Sequence, residues 1–333
     1  MTIMLTGGGG FVGLNIAEAL LRAGQDVFVL DDRPPPAHAI ATLEALPGKL
    51  YLVTADVSNR GAVDAAFRQS RPDRVIHAAA ITCGRERELR DTGRVIDVNI
   101  KGTANVLRAA CESGVERFIH VSSGSVYGEA LLGAGPLTES ASAPVPDTLY
   151  AITKFAAERL CMRMRETNGL NVVCVRLGSV FGPWEFDTGV RDTLSLPLRI
   201  LRIAMREGEV LFARNEPRRD WIYSRDVAAG IASILQAPTV PDALYNLASG
   251  FQWANVSAEW CACLRAEFPR FWYRPVAGRE TPNVEFLGNL DRALMSNERL
   301  REDTGFQPTF DQHNAFADYL AWISEHAANF YPG

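Results

Sequence analysis

The sequence predicts an α/β fold: a doubly wound parallel sheet of the Rossmann type with a smaller, discontinuous C-terminal substrate lobe. Three observations lead there. Short β-branched runs alternate with helical patterns through the first half, as parallel sheets covered on both faces require. A glycine-rich turn joins the first strand directly to the first helix. After Arg176 the alternation loosens, and Gly182-Pro183-Trp184 breaks the chain.

In order, strand one is expected at Ile3–Leu5 and an apolar helix at Val12–Ala23. Further strands are expected at Val27–Leu30, Leu50–Val53, Arg74–His77, Arg117–Val121 and Val172–Arg176. Helical patterns at Val63–Arg68, Val95–Cys111 and Tyr150–Glu166 separate the later ones. Right-handed crossovers between such strands place ligands beyond their C-terminal ends. Past Arg176, Leu196–Arg206 and Val227–Leu235 read as helices and Ala243–Leu247 as a short strand. The remainder, with scattered tryptophans and prolines, shows no regular alternation and suits a lobe over the ligand end. The expected division is residues 1–178 plus 221–248 for the Rossmann domain and 179–220 plus 249–333 for the substrate lobe.

Composition narrows the function. The 333 residues are 47% hydrophobic with a formal net charge of −5, enough for a sizeable core and unlike a dedicated nucleic-acid binder. No apolar run approaches the roughly 20 residues that span a bilayer, and the N-terminus lacks the pattern of a secretory signal. The six cysteines lie mostly in apolar segments, and Cys261-Ala-Cys263 lacks a second ligand pair, so no metal site is expected. A cytoplasmic, reduced protein is the expectation.

Strand one runs into Thr6-Gly7-Gly8-Gly9-Gly10-Phe11-Val12-Gly13. Glycines are needed where backbone amides approach a pyrophosphate and a helix N-terminus lies close to a strand. Gly7, Gly10 and Gly13 give one such spacing, with Phe11 and Val12 opening the helix. Strand two ends in Asp31-Asp32, placed for hydrogen bonds from adenosine hydroxyls and repulsive to a 2′-phosphate, which favours NAD over NADP. Arg33 is the counter-signal, since it could pair with such a phosphate. Asp56-Val57 after strand three could reach the adenine, and Ala78-Ala79-Ala80 let the backbone pass near the cofactor. Asp56 reads equally as a turn or cap residue, and His77 as a packed histidine.

Tyr150-Ala-Ile-Thr-Lys154 puts a phenol and an ammonium on one helix face. A neighbouring cation stabilises the phenolate, so the tyrosine can serve as a base. Upstream, the apolar strand Phe118–Val121 ends in Ser122-Ser123-Gly124-Ser125-Val126-Tyr127-Gly128. With the glycine turn and Asn99-Ile-Lys-Gly102-Thr103, the chain resembles the extended short-chain dehydrogenases over almost its whole length. Within them it looks most like the nucleotide-sugar epimerases and dehydratases. Arg176-Leu-Gly-Ser179-Val-Phe-Gly182-Pro183, Arg219-Asp-Trp-Ile-Tyr-Ser-Arg-Asp226-Val227, Tyr245-Asn-Leu-Ala and Arg299–Pro308 match later landmarks. The resemblance implies Ser123 as catalytic hydroxyl, Tyr150 as general acid/base, Lys154 as its activator, and Asn99 as a support of the cofactor site.

Family members diverge after the first oxidation. A 4,6-dehydratase has an Asp-Glu pair directly after the catalytic hydroxyl; here those positions are Gly124 and Ser125, so dehydration is not expected. The resemblance then implies an epimerase, at C4, with Ser123, Ser125 and Ser179 toward the sugar and Arg219 and Arg279 gripping a diphosphate. Departures fall on the substrate side: Ser179 for the usual asparagine, Ala213–Arg219 for a Gly-Asp/Asn-Gly turn, and Glu280-Thr281-Pro282 for Gly-Asp. The alternatives are an NAD-dependent dehydrogenase of a free sugar, sugar acid or polyol, and a non-catalytic NAD-binding regulator. Apolar Phe155, Leu160 and Met164 extend beyond the sheet-facing side of their helix, and related enzymes pair these helices as a four-helix bundle. A homodimer is expected, with no nucleic-acid or membrane partner.

Overall fold

The computed structural model describes residues 1–133, 135–187, 189–284 and 290–330, the side chains of 327–330 excepted. In chain order the first half comprises β1 (Thr2–Thr6), α1 (Phe11–Arg22), β2 (Asp26–Asp31), α2 (Ala37–Glu44), β3 (Leu50–Thr54), α3 (Arg60–Ser70), β4 (Arg74–His77), α4 (Arg85–Arg90), α5 (Thr92–Ile96), α6 (Thr103–Glu112) and β5 (Arg117–Ser123). Then come α7 (Leu149–Asn168), β6 (Val172–Leu177), β7 (Ser179–Phe181), α8 (Leu196–Ala204), β8 (Glu209–Phe212), β9 (Trp221–Tyr223), α9 (Ser224–Gln236), β10 (Leu244–Leu247), α10 (Val256–Glu267), β11 (Trp272–Pro275), α11 (Glu298–Thr304) and α12 (Gln312–Phe330).

The central sheet is parallel throughout, in the order β10-β6-β5-β4-β1-β2-β3. All seven expected strands are present, within two residues of their expected ends. The order reverses direction between β1 and β4, so the ends of those strands open a crevice there. One core packs α1 and α9 against one face, through Leu14, Ala17, Leu21, Ile231 and Ile234. The opposite face carries Val63, Phe67, Val106, Leu107, Ala110 and Cys161 from α3, α6 and α7. Two small parallel pairs, β8 with β11 and β7 with β9, lie outside the main sheet.

Two expectations need correction. The single helix read over Val95–Cys111 is interrupted by a π-helical turn, Asp97–Gly102. There the Asn99 side chain turns inward to bond other segments, and Gly102 packs where a Cβ would lie 2.7 Å from Val57. The C-terminal stretch read as irregular contains α10, α11 and α12. Two of its tryptophans sit on helical stripes: Trp260 with Cys261 and Leu264 on α10, and Trp322 with Ala315, Phe316, Tyr319 and Ile323 on α12, all buried. Phe155, Leu160 and Met164, the side chains behind the expected bundle, pack against this chain's own clusters. Among the described residues no helix is long and apolar enough to cross a membrane, the six cysteines are unpaired, and no metal-ligand cluster occurs.

Candidate active site

Beyond the C-terminal ends of the sheet strands lies a cavity of about 1130 Å³. That exceeds the roughly 300–1,000 Å³ usual for one small ligand, leaving room for a dinucleotide and a second molecule. Its floor is the glycine turn. Gly7 has φ +69, and a Cβ there would lie 2.5 Å from the Ala79 nitrogen; at Gly13 it would lie 2.2 Å from the Gly7 carbonyl. The turn is therefore pressed against both the Ala78–Ala80 segment and the start of α1. No side chain caps α1, and while the Gly10 amide is donated to the Gly7 carbonyl at 3.1 Å, the amides of Phe11 and Val12 at the helix start are left for an anion in the cavity. This is a cradle that fits a dinucleotide pyrophosphate.

The acids follow. Asp31 accepts from the Gly9 amide at 3.0 Å and the Asp32 amide at 2.9 Å, while burial pushes its carboxyl up to about 6. Asp32 pairs with Arg33 at 3.4 Å, so the arginine that could have taken a 2′-phosphate is engaged by an acid. Asp56 accepts from the Ser58 amide and pairs with Arg94 at 2.8 Å; it is a turn residue and lines the cavity with Val57. His77 is packed, bonded to Thr6 at 2.6 Å and Thr103 at 2.9 Å, and burial next to Lys154 holds its pKa at about 3. Asn99 stands behind the cavity wall, bonding the Ile81 backbone on both its groups and the Thr153 hydroxyl.

Ser123, Tyr150 and Lys154 meet in the same cavity. Thr148 caps α7 by accepting from the Ala151 amide, which fixes where Tyr150 begins the helix. Burial raises the Tyr150 pKa, and the nearby Thr82 and Ser123 side chains and the Arg191 charge oppose the rise. Lys154, 2% exposed, donates to the Val121 carbonyl at 2.5 Å, and burial lowers its pKa to about 8. One turn on, Glu158 accepts from Ser122 at 2.6 Å and from Arg176 at 2.9 and 2.7 Å. Two successive residues of β5 are thus tied to α7, Val121 to Lys154 and Ser122 to Glu158, and Ser123 follows them into the cavity with Tyr150.

On the substrate side, Ser125, Ser179 and Arg219 line the cavity, whereas Arg279 is exposed in the loop after β11 and does not. Arg292 takes a place there that no motif announced. Burial lowers the pKa of both Arg219 and Arg292, and the nearby Arg292 charge lowers Arg219 further, to about 10. Two neighbouring guanidiniums in a cavity form a receptor for a multiply charged anion. Thr82 and Arg191 were also silent in the sequence, being isolated residues in loops outside any recognisable spacing.

Residues 3–248 match the NAD-dependent epimerase/dehydratase family. The chain is 30% identical to a dTDP-L-rhamnose 4-epimerase from Burkholderia thailandensis, over 97% of this chain and 95% of that one. It is 27% identical to a dTDP-glucose 4,6-dehydratase from Neisseria meningitidis, over 96% and 92%. In three dimensions it superposes on a UDP-glucose 4-epimerase from Thermotoga maritima with TM-score 0.80 at 21% identity, covering 98% of this chain and 100% of that one.

Proposed function

The chain belongs to the NAD-dependent epimerase/dehydratase family, and we propose that it is a nucleotide-sugar epimerase acting at C4 through transient oxidation to a keto-sugar. The observation that carries the choice over dehydration is Gly124. A Cβ there would lie 2.7 Å from the Met295 sulfur and 3.1 Å from the Leu177 carbonyl. The packing therefore opposes an acid beside Ser123, and the next position is a serine.

Bound NAD supplies the nicotinamide that accepts and returns a hydride. The chain's own part is proton control and placement. Tyr150 removes the proton from the sugar hydroxyl and later returns it. Lys154, whose pKa of about 8 leaves it mostly charged at neutral pH, favours the phenolate. The Ser123 hydroxyl donates to the oxyanion that forms as the proton leaves. Contributions of this kind are worth factors of roughly 10²–10⁴ in rate. Arg219 and Arg292 hold the diphosphate, the fixed pivot about which the keto-sugar turns to present its other face. Residues 1–178 plus 221–248 are assigned to cofactor binding and 179–220 plus 249–333 to the substrate lobe, of which 285–289 and 331–333 lie outside the described residues. We also retain the homodimer as a proposal, with Ile96 and Ile152, 41% and 48% exposed, as apolar contacts on α5 and α7.

A second reading, a dehydrogenase of a free sugar or sugar acid, is favoured by the exposed position of Arg279 and by Ser179 in place of asparagine. A substrate deuterated at C4 separates the two. Epimerisation retains the label at C4 of the product; label in released dinucleotide marks the dehydrogenase.

A further inference from the structure

Two stretches between β7 and α8, residues 182–187 and 189–195, border the cavity. In the first, the Asn15 side chain donates to the Pro183 carbonyl at 2.8 Å, and the Trp184 indole donates to Glu18 at 2.6 Å. The second lies along residues 82–87. Thr82 donates to the Val190 carbonyl and accepts from the Asp192 amide, both at 3.0 Å. Asp192 in turn accepts from the Gly84 amide at 2.9 Å and from Arg87 at 2.6–3.0 Å, and Arg87 also donates to the Gly189 carbonyl at 2.5 Å. The first stretch is thus tied to α1 and the second to residues 82–87.

Within the second stretch, flanked by Val190 and Asp192, stands Arg191. Its guanidinium lies over the Phe11 ring, 5.0 Å from the centroid, at the first residue of α1. It is held there by Glu185, fully buried, at 2.9 Å and by donation from Nε to the Thr193 carbonyl at 3.0 Å. Glu185 is itself fixed by the Ser195 amide at 2.8 Å and by the Ser195 hydroxyl. These bonds use Nε and Nη1 of Arg191; Nη2 has no acceptor among the described residues, and the side chain lines the cavity. A charged donor therefore stands in the cavity beside the uncapped α1 N-terminus, where an anion is favoured.

We infer that residues 189–195 form a clasp over the dinucleotide, in which Arg191 binds the cofactor's diphosphate from the side opposite the glycine turn and the Arg87–Asp192 pair latches the clasp shut. The inference deepens the epimerase reading, since a cofactor recycled in place benefits from slow release. A phosphate held between α1 and Arg191 leaves only if the clasp lifts, and lifting breaks the Asp192 bonds. Dissociation is then limited by opening of the latch.

The test is the NAD off-rate of the purified protein, followed by fluorescence with excess unlabelled competitor, together with the NAD released on acid denaturation. Wild type should retain cofactor through desalting. R191M, which leaves the latch intact, and D192N, which opens it, should each release NAD at least tenfold faster, with R191K nearer wild type. Circular dichroism melting checks that each variant is folded. Unchanged off-rates in folded R191M and D192N would overturn the clasp, whatever the reaction. Faster release in the variants alongside net NADH production by wild type would uphold the clasp and overturn the epimerase reading instead.

Discussion

The buried pair behind the catalytic residues gives the most quantitative prediction. Glu158 and Arg176 are each 3% exposed and joined by two hydrogen bonds, and Ser122 supplies a third to the carboxylate. R176M leaves that carboxylate buried with one hydroxyl for company. Breaking a buried pair from one side costs about 3–5 kcal/mol, whereas replacing both partners with well-packed apolar groups is close to neutral. Lys154 is one helical turn from Glu158, so the uncompensated carboxylate pulls its ammonium back and raises a pKa now near 8. Urea unfolding of R176M should show a loss of about 3–5 kcal/mol, largely recovered in E158M/R176M. The alkaline limb of kcat should move to higher pH in R176M alone. A loss below about 1 kcal/mol, or no recovery in the double variant, would refute the argument that the pair is a matched buried unit.

Other expectations follow from single sites. Y150F should abolish turnover while leaving NAD affinity within about twofold, measured by fluorescence titration; a loss of at least 10²-fold is the scale for an acid/base group. Burial lowers Lys154 to about 8 from an ordinary 10.5, so above pH 8 the folded chain sheds a proton the unfolded chain still holds. Its unfavourable contribution shrinks as pH rises from about 8 to about 10.5, so K154M should be more stable than wild type at pH 7, by less at pH 10, in denaturant melts. G124D should be destabilised by its collision with Met295, and G124D/M295A should be more stable than G124D alone. Light scattering at micromolar concentration should return a dimer mass that I96E/I152E lowers to a monomer.

The central sheet was legible because each strand is a short apolar run bounded by turns, and period-two or fully buried patterns survive without knowledge of tertiary contacts. The glycine turn and the Tyr150/Lys154 pair were legible because their chemistry fixes sequence spacing. α12 was missed although its stripe has helical period, because its buried aromatics were read as irregular rather than counted against a helix template. The π-turn at Asp97–Gly102 depends on what Asn99 bonds in Ile81 and Thr153, which no local pattern encodes. Arg191 and Arg292 gain their places from loop paths across the cavity. A family motif pointed to Arg279 for the diphosphate, and the fold leaves it at the surface with Arg292 in the cavity instead.

The central claim is tested most directly by proton NMR of the purified protein with UDP-, GDP- and dTDP-sugars and no added NAD. The account predicts a new anomeric signal for one sugar, growing to a fixed equilibrium ratio without net change in dinucleotide. No new signal from any nucleotide sugar, with NADH formed from a free sugar or sugar acid once NAD is added, would contradict it.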